Sequence, residues 1–249
     1  MERLAARRVP LVWRVATVVE LRAETPSATT LLLDIEDWPG HLAGQHVDVR
    51  LTAEDGYQAE RSYSLASPPE DPELALTIER ISDGEVSPYL TDELRPGDEL
   101  ELRGPIGGYF TWQVADGGPL VLLAGGAGLV PLMAMLRHRA RASSDVEARL
   151  LVSARSWDDV LYRDELAKLG DDSVMVHYTL TREQPPAWMG WTSRVSVEML
   201  RDLDADPARQ PRVYVCGPTG FVERVAELLV GLGHDPHAIK TERFGPTGG

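Results

Sequence analysis

Three short stretches of this chain bring together residue types that could do chemistry. Arg61-Ser62-Tyr63-Ser64 sets a cation, an aromatic ring and two serine hydroxyls within four residues, a combination able to hold something flat, anionic and electron-accepting. On a strand, Arg61 and Tyr63 would share one face, and Ser62 and Ser64 the other. Gly125-Gly126-Ala127-Gly128-Leu129-Val130-Pro131 directly follows the apolar run from Leu120 to Ala124. Glycines between a strand and a helix let backbone approach a pyrophosphate, and Pro131 suits a first helical turn. Cys216-Gly217-Pro218 follows the apolar run from Val213 to Val215, which puts it at a strand's carboxyl end, where open parallel sheets bind ligands. Each stretch also has a plainer reading: an edge strand with a surface arginine, a loop without nucleotide, and a lone cysteine buried as a small hydrophobe.

Two kinds of pattern must position these residues. From about Leu11 to Phe110 apolar residues alternate, as in Leu31, Leu33 and Ile35 or Val47, Val49 and Leu51, the period of half-buried antiparallel strands. Turns such as Asp55-Gly56 and Pro96-Gly97-Asp98 divide the run into six short strands that can close as a small barrel over 11–112. One helix interrupts them: Gly84-Glu85-Val86-Ser87-Pro88 offers Ser87 as N-cap and Pro88 as first helical residue, and the free N–H groups of such an end suit a phosphate. After Asp116-Gly117-Gly118 the apolar runs become continuous, as in strands covered on both faces. The pattern predicts a five-stranded parallel α/β domain over 118–249. Its strands fall near 119–124, 147–153, 173–180, 212–216 and 237–242, and its helices near 129–141, 157–168, 195–203 and 219–231.

Taken together and in this order, the motifs resemble those of the ferredoxin-NADP reductase superfamily. Arg61-Ser62-Tyr63-Ser64 is similar to its R-x-Y-[ST] flavin signature. That implies Arg61 on the flavin pyrophosphate, Tyr63 packed on the isoalloxazine and the Ser64 hydroxyl on the flavin nitrogen that accepts hydride. Gly84, Glu85, Val86 and Ser87 resemble the G-x-x-S pyrophosphate segment. Gly104-Pro105-Ile106-Gly107-Gly108-Tyr109-Phe110 resembles the G-P-x-G-x-F that ends the flavin domain, with Tyr109 or Phe110 as its aromatic. Gly126, Ala127, Gly128 and Pro131 fit the family's G-x-G-x-x-P loop. Cys216, Gly217 and Pro218 fit its C-G-P, whose cysteine lies beside the nicotinamide. Glu242-Arg243-Phe244 resembles a terminal E-x-Y, which implies a carboxylate at the reacting centre and a ring over the flavin. Phe stands here in place of Tyr, and Gly245-Pro246-Thr247-Gly248-Gly249 continues past it. Thr181-Arg182-Glu183-Gln184 is similar to the segment that grips the 2'-phosphate of NADP, and Arg155 takes the place where an NAD site presents Asp or Glu. Asp158 and Asp159 are the alternative, as ribose ligands for NADH.

The resemblance implies a flavin-dependent reductase that passes hydride from NADPH to FAD and single electrons to a separate redox protein, ferredoxin, flavodoxin or an oxygenase component. Ser64, Cys216 and Glu242 would be its catalytic residues. The alternatives are an NADH-dependent oxygenase reductase, a free-flavin reductase, or a flavin electron-transfer subunit without productive nicotinamide binding; FMN remains an alternative to FAD.

Composition narrows the partners. One cysteine, Cys216, cannot hold an iron–sulfur cluster, so any cluster belongs to another protein. His234-Asp235-Pro236-His237 is the only close histidine pair, and it lacks a third metal ligand. A net charge of -14 disfavours nucleic acid and anionic membranes, and no run of about 18 apolar residues offers a membrane span. These features predict a soluble, cytoplasmic protein. Two arginine groups, Arg7, Arg8, Arg14 and Arg22 and then Arg137, Arg139 and Arg141, could steer an acidic ferredoxin.

Overall fold

A computed structural model describes residues 11–169 and 173–244; Arg7, Arg8 and the tail after Phe244 lie outside the described residues. The alternating segment folds into six antiparallel strands: β1 (Trp13–Thr25), β2 (Ala28–Asp34), β3 (His46–Thr52), β4 (Gln58–Ser64), β5 (Leu74–Glu79) and β6 (Glu99–Ile106). Their order is β4-β3-β6-β1-β2-β5, and a bridge from Leu65 to Leu76 joins the end of β4 to β5. The two edges meet, which closes the barrel and removes exposed edge strands. Val18, Leu31, Leu33, Val47, Val49 and Leu102 fill its interior, each buried side chain contributing roughly 1.5–3 kcal/mol. On the outer face, Trp13 lies under the guanidinium groups of Arg50 and Arg103, at 4.1 and 4.7 Å. Those arginines pair in turn with Glu101 and Asp48.

The helix expected after Gly84 is a single π-helical turn, Tyr89–Glu93, and Ser87 does not cap it. The Gly84 N–H donates to Ile81 O at 3.0 Å, a tight turn that brings the Ile81 amide onto Ser87. The Ser87 hydroxyl accepts that amide at 3.0 Å, and the cap position falls to Pro88, whose side chain has no acceptor.

In the second domain, β7 (Leu120–Gly125), β8 (Ala148–Ala154), β9 (Val174–Leu180), β10 (Arg212–Pro218) and β11 (Ile239–Phe244) form a parallel sheet ordered β11-β10-β7-β8-β9. Helices α1 (Leu129–Arg141), α2 (Arg163–Leu169), α3 (Val197–Asp202) and α4 (Thr219–Gly231) connect them. The continuous run predicts a doubly covered strand, and all six residues of β7 are buried. The chain leaves β7 towards β8 and β9 and later returns to its other side as β10 and β11, so the topological switch point lies between β7 and β10. Helix α2 begins at Arg163, later than the expected 157, because Tyr162 sits at φ 55 and cannot continue a helix backwards. Helix α3 begins at Val197, after the Ser196 hydroxyl accepts the Met199 N–H.

The domains are packed together through α1 and β5. Tyr162 hydrogen-bonds Thr77, which bonds Thr30 at 2.7 Å, and Arg137 donates to Ala66 O at 2.7 Å while lying 4.6 Å over the Tyr162 ring. This accounts for the second arginine group. Arg137 also pairs with Glu165, Arg139 is buried against Val146 O, and Arg141 pairs with Asp71. In the first group, Arg14 donates to Gly104 O and Arg22 pairs with Glu20. Neither group offers a free basic patch among the described residues. No helix among them is long and apolar enough to cross a membrane.

Candidate functional site

Strand β4 carries Arg61, Ser62, Tyr63 and Ser64, and the β3 register fixes where each points. Arg61 lies opposite Val49 and Tyr63 opposite Val47, whereas Ser62 lies opposite Asp48 and Ser64 opposite His46. The Arg61 guanidinium donates to Glu60 O at 2.8 Å and to Glu85 Oε2 at 3.2 Å, so β4 and the 84–87 segment do meet. Val86 and Ser87 are buried there, leaving Gly84, Glu85 and Arg61 as the groups that face outward. Tyr63 packs against the barrel core, and burial pushes its hydroxyl up to about 12. The Ser62 hydroxyl donates to Asp48 Oδ1 at 2.6 Å, inside the Asp48–Arg103 pair. Ser64 Oγ, by contrast, is buried with no hydrogen-bond partner.

The glycine loop stands at the end of β7 as expected. Gly126 sits at φ +54 with open space around it, while a Cβ on Gly128 would lie 2.0 Å from Cys216 O. The first requirement is conformational and the second steric; together they bring the loop onto β10. Ala127 follows Gly126 in the same turn, and Pro131 is buried in the first turn of α1. Gly217, at φ +156, would carry a Cβ 2.9 Å from Phe221 and 3.0 Å from Gly125 Cα. Pro218 ends β10 and precedes α4.

At the seam between the domains, Cys216 and Glu242 are register partners on β10 and β11. Cys216 is buried, and burial with the neighbouring Glu242 pushes its thiol up, against a smaller opposing bond from the Gly217 N–H. It is held as a thiol. Burial also pushes the Glu242 carboxyl up to about 7, and its Oε2 has no partner. The other oxygen lies 3.9 Å from His46 Nδ1. Burial lowers the His46 pKa, so desolvation biases both groups towards their neutral forms and the contact is a loose one rather than a firm ion pair. His46 thus stands opposite Ser64 on one side and beside Glu242 on the other. Alternation alone places His46 and Asp48 outside the barrel, but only the β3–β4 register and the packing of β11 bring His46 to this seam, which is why sequence reasoning missed it. Phe244 ends β11 opposite Pro218 and packs on the sheet core, half-buried. Of the two aromatics near the end of the barrel, Phe110 is buried edge-on to Tyr214 at 5.3 Å. Tyr109 is exposed and donates to Ile239 O at 3.1 Å.

The ends of β8 and β9 come together as well. Thr181 and Arg182 donate backbone N–H bonds to Ala154 O and Arg155 O, each at 2.9 Å, so Arg155 and Arg182 stand on adjacent turns. Asp159 is engaged by Ser156, and Asp158 by Arg163. The histidine pair is structural: His234 Nε2 meets Ala205 O, and Asp235 accepts the His237 N–H.

An unpartnered buried hydroxyl and an arginine on the barrel, an unpartnered carboxyl oxygen on β11 at the seam, and a glycine loop at a sheet switch point define the class: a two-domain flavin and nicotinamide-nucleotide oxidoreductase. The orphaned Ser64 Oγ and Glu242 Oε2, which His46 lies beside on either hand, are polar atoms that the hydrogen-bonding edge of a cofactor would satisfy. The family models agree, with an oxidoreductase FAD-binding domain matching residues 20–111 and an oxidoreductase NAD-binding domain matching 122–227. The chain is 34% identical over 240 residues to ferredoxin–NADP reductase B of Sorangium cellulosum, covering 92% of this chain and 96% of that one. It belongs to the ferredoxin-NADP reductase superfamily. It is also 34% identical over 208 residues to the glycine betaine monooxygenase reductase subunit of Pseudomonas aeruginosa, covering 82% of this chain but 56% of that protein. The chain therefore spans little more than half the length of that relative. Among solved structures, the FAD/NAD-binding domain of a Vibrio cholerae nitric oxide dioxygenase superposes with a TM-score of 0.82 at 26% identity, over 94% of this chain and 99% of that one.

Proposed function

We propose that the chain is a reductase that takes hydride from NADPH onto FAD and delivers electrons singly to a separate redox protein. The observation that carries this reading is the seam itself, where Ser64, His46, Cys216 and Glu242 from both domains converge with two buried oxygens unpartnered. A bound FAD would supply the conversion between two-electron and one-electron chemistry. Arg61 would hold its pyrophosphate, Tyr63 the ring and Ser64 the reacting edge. Gly126 leaves its turn open to a nucleotide backbone, Gly128 and Gly217 let that turn pack against β10, and the uncharged Cys216 leaves room for a nicotinamide without adding an anion. Glu242, poised at about 7, can hold or release a proton near neutral pH, and His46 stands where that proton would leave. Arg155 and Arg182 favour NADPH, and the engagement of Asp158 and Asp159 by local partners weakens the NADH alternative. A reductase fed by nicotinamide works where that nucleotide is kept reduced, which makes the cytoplasm its proposed location.

For the acceptor, the named relatives point to ferredoxin or to an oxygenase component. The test is the spectrum of purified protein supplied with FAD. We expect a yellow protein that anaerobic NADPH bleaches without any other component, and an Arg61→Ala variant that holds FAD about 10- to 100-fold more weakly, the worth of one charge-assisted phosphate contact. A protein that takes up no FAD overturns the reading, and undiminished affinity in the variant removes Arg61 from the site.

A further inference from the structure

Three large apolar side chains are exposed beside Arg61. Tyr57 and Ile81 are each 58% exposed and Tyr89 38%. They belong to one patch: the Tyr57 hydroxyl donates to Glu85 Oε1 at 3.3 Å, Glu85 pairs with Arg61, and the Ile81 amide is held by Ser87, two residues before Tyr89. Rings and an aliphatic chain left in water at one spot, beside the strand that carries the candidate flavin ligands, have the composition of a protein-binding surface.

Charge says what kind of protein. Over residues 11–112 the chain has seven basic and twenty acidic side chains, a net charge of -13, whereas over 118–249 it has fifteen and seventeen, a net of -2. Nearly all of the chain's negative charge therefore sits on the barrel. Around the apolar patch the few cations are already engaged, Arg61 by Glu85 and Arg80 by Asp92. Glu54 and Asp83 are exposed and have no ion-pair partner among the described residues. An acidic partner would meet uncompensated repulsion here, and a cationic one would be steered in.

We infer that Tyr57, Ile81 and Tyr89, rimmed by Glu54, Asp83 and Glu85, form the face on which the electron acceptor docks, and that this acceptor is a protein with a basic surface. Its role as an electron-exit face rests on the flavin reductase reading above; the charge of the partner does not. Among the acceptor classes considered for this chain, the face fits a basic oxygenase component and disfavours an acidic ferredoxin or flavodoxin. Each NADPH supplies two electrons as hydride, which reduce two one-electron acceptors and release one proton.

The test uses the full chain with FAD and three acceptors: cytochrome c as a cationic protein, an acidic [2Fe–2S] ferredoxin, and the neutral quinone menadione. Menadione reduction by NADPH reports on the reductase reading alone, so its absence sinks that reading before the docking face is at issue. With menadione active, kcat/KM for cytochrome c should fall roughly tenfold as salt rises from about 0.02 to 0.3 M, while menadione turnover stays flat. Glu54→Lys with Asp83→Lys should lower the low-salt value for cytochrome c roughly tenfold, leave menadione unchanged, and raise the rate with ferredoxin. A flat salt profile with cytochrome c, an unaffected double variant, or a ferredoxin rate that falls with salt would each overturn the inference.

Discussion

On the barrel the candidate ligands are side chains, Arg61, Tyr63 and Ser64 on one strand, whereas on the parallel sheet the candidate site is mostly backbone: Gly126 has open space beside its turn, and the buried Gly128 and Gly217 let that turn and β10 pack without a side chain between them. The barrel site is therefore assembled from rotamers that hold one another: Arg61 is held by Glu85, and Ser62 by Asp48 and, through it, Arg103. The candidate nucleotide site is set by the closeness of β7 and β10, which no side chain can restore once lost. Damage should accordingly be graded in the first region and abrupt in the second.

The most direct way to break that contrast is at the loop. Gly128→Ala forces a Cβ to within 2.0 Å of Cys216 O, a backbone atom that cannot move without shifting β10. We expect a loss of about 4 kcal/mol in urea unfolding followed by tryptophan fluorescence. Gly126→Ala, with open space but φ +54, should cost about 1 kcal/mol. On the barrel, Arg61→Ala removes an exposed pair and should change stability by less than about 1 kcal/mol while flavin affinity falls. Equal costs at Gly126 and Gly128 would mean that strand closeness does not set the nucleotide site.

At the seam the contrast becomes one of pH. Glu242 has a folded-state pKa of about 7 against an ordinary 4.5, so between those values the folded protein keeps a proton that the unfolded chain has released. Its contribution is full below about pH 4.5 and is lost as pH rises through about 7, a fall of about 2–3 kcal/mol in flavin-free protein. Unfolding midpoints at pH 5 and pH 8 should show it. Glu242→Gln should remove most of the difference. A variant with the wild-type pH dependence would assign that dependence to other groups.

How much of this could be read in advance follows from which forces are local. Periodicity revealed both sheets, since Val47 and Val49 alternate with Asp48 and Leu120 to Ala124 run without a break. The glycine loop was legible because Gly126 answers to a local backbone demand, whereas the reason for Gly128, the approach of Cys216 O, lies across the sheet. Ser87 misled because Gly84 turns the chain back on Ile81, and that amide reached the hydroxyl first. The late start of α2 depends on an aromatic residue, Tyr162, at positive φ, which propensity argues against. Arg137, Arg139 and Arg141 read as a surface patch, but α1 is covered on most sides, so Arg137 and Arg139 turn inward to carbonyls. His46 needed a strand register and a second domain before its neighbours existed.

Arg155 sharpens the comparison, because it is a candidate side-chain ligand on the domain otherwise governed by backbone. Arg155 is exposed at the end of β8, and the backbone of Thr181 and Arg182 rests on the Ala154 and Arg155 carbonyls. If its guanidinium holds the 2'-phosphate, Arg155→Ala removes one charge-assisted contact worth about 1.5 kcal/mol at an exposed site, roughly tenfold in kcat/KM for NADPH. NADH has no group there to lose, so its kcat/KM should stay the same, and the NADPH-to-NADH ratio should fall tenfold. Arg182 is the less clean probe because Glu183 follows it and can offset its charge. Because only side-chain atoms are removed and both amides that bond to the Arg155 carbonyl remain, the turn should survive the change. Equal losses with both nucleotides would show that Arg155 supports that turn instead, and a wild-type preference for NADH would transfer the choice of nucleotide to Asp158 or Asp159.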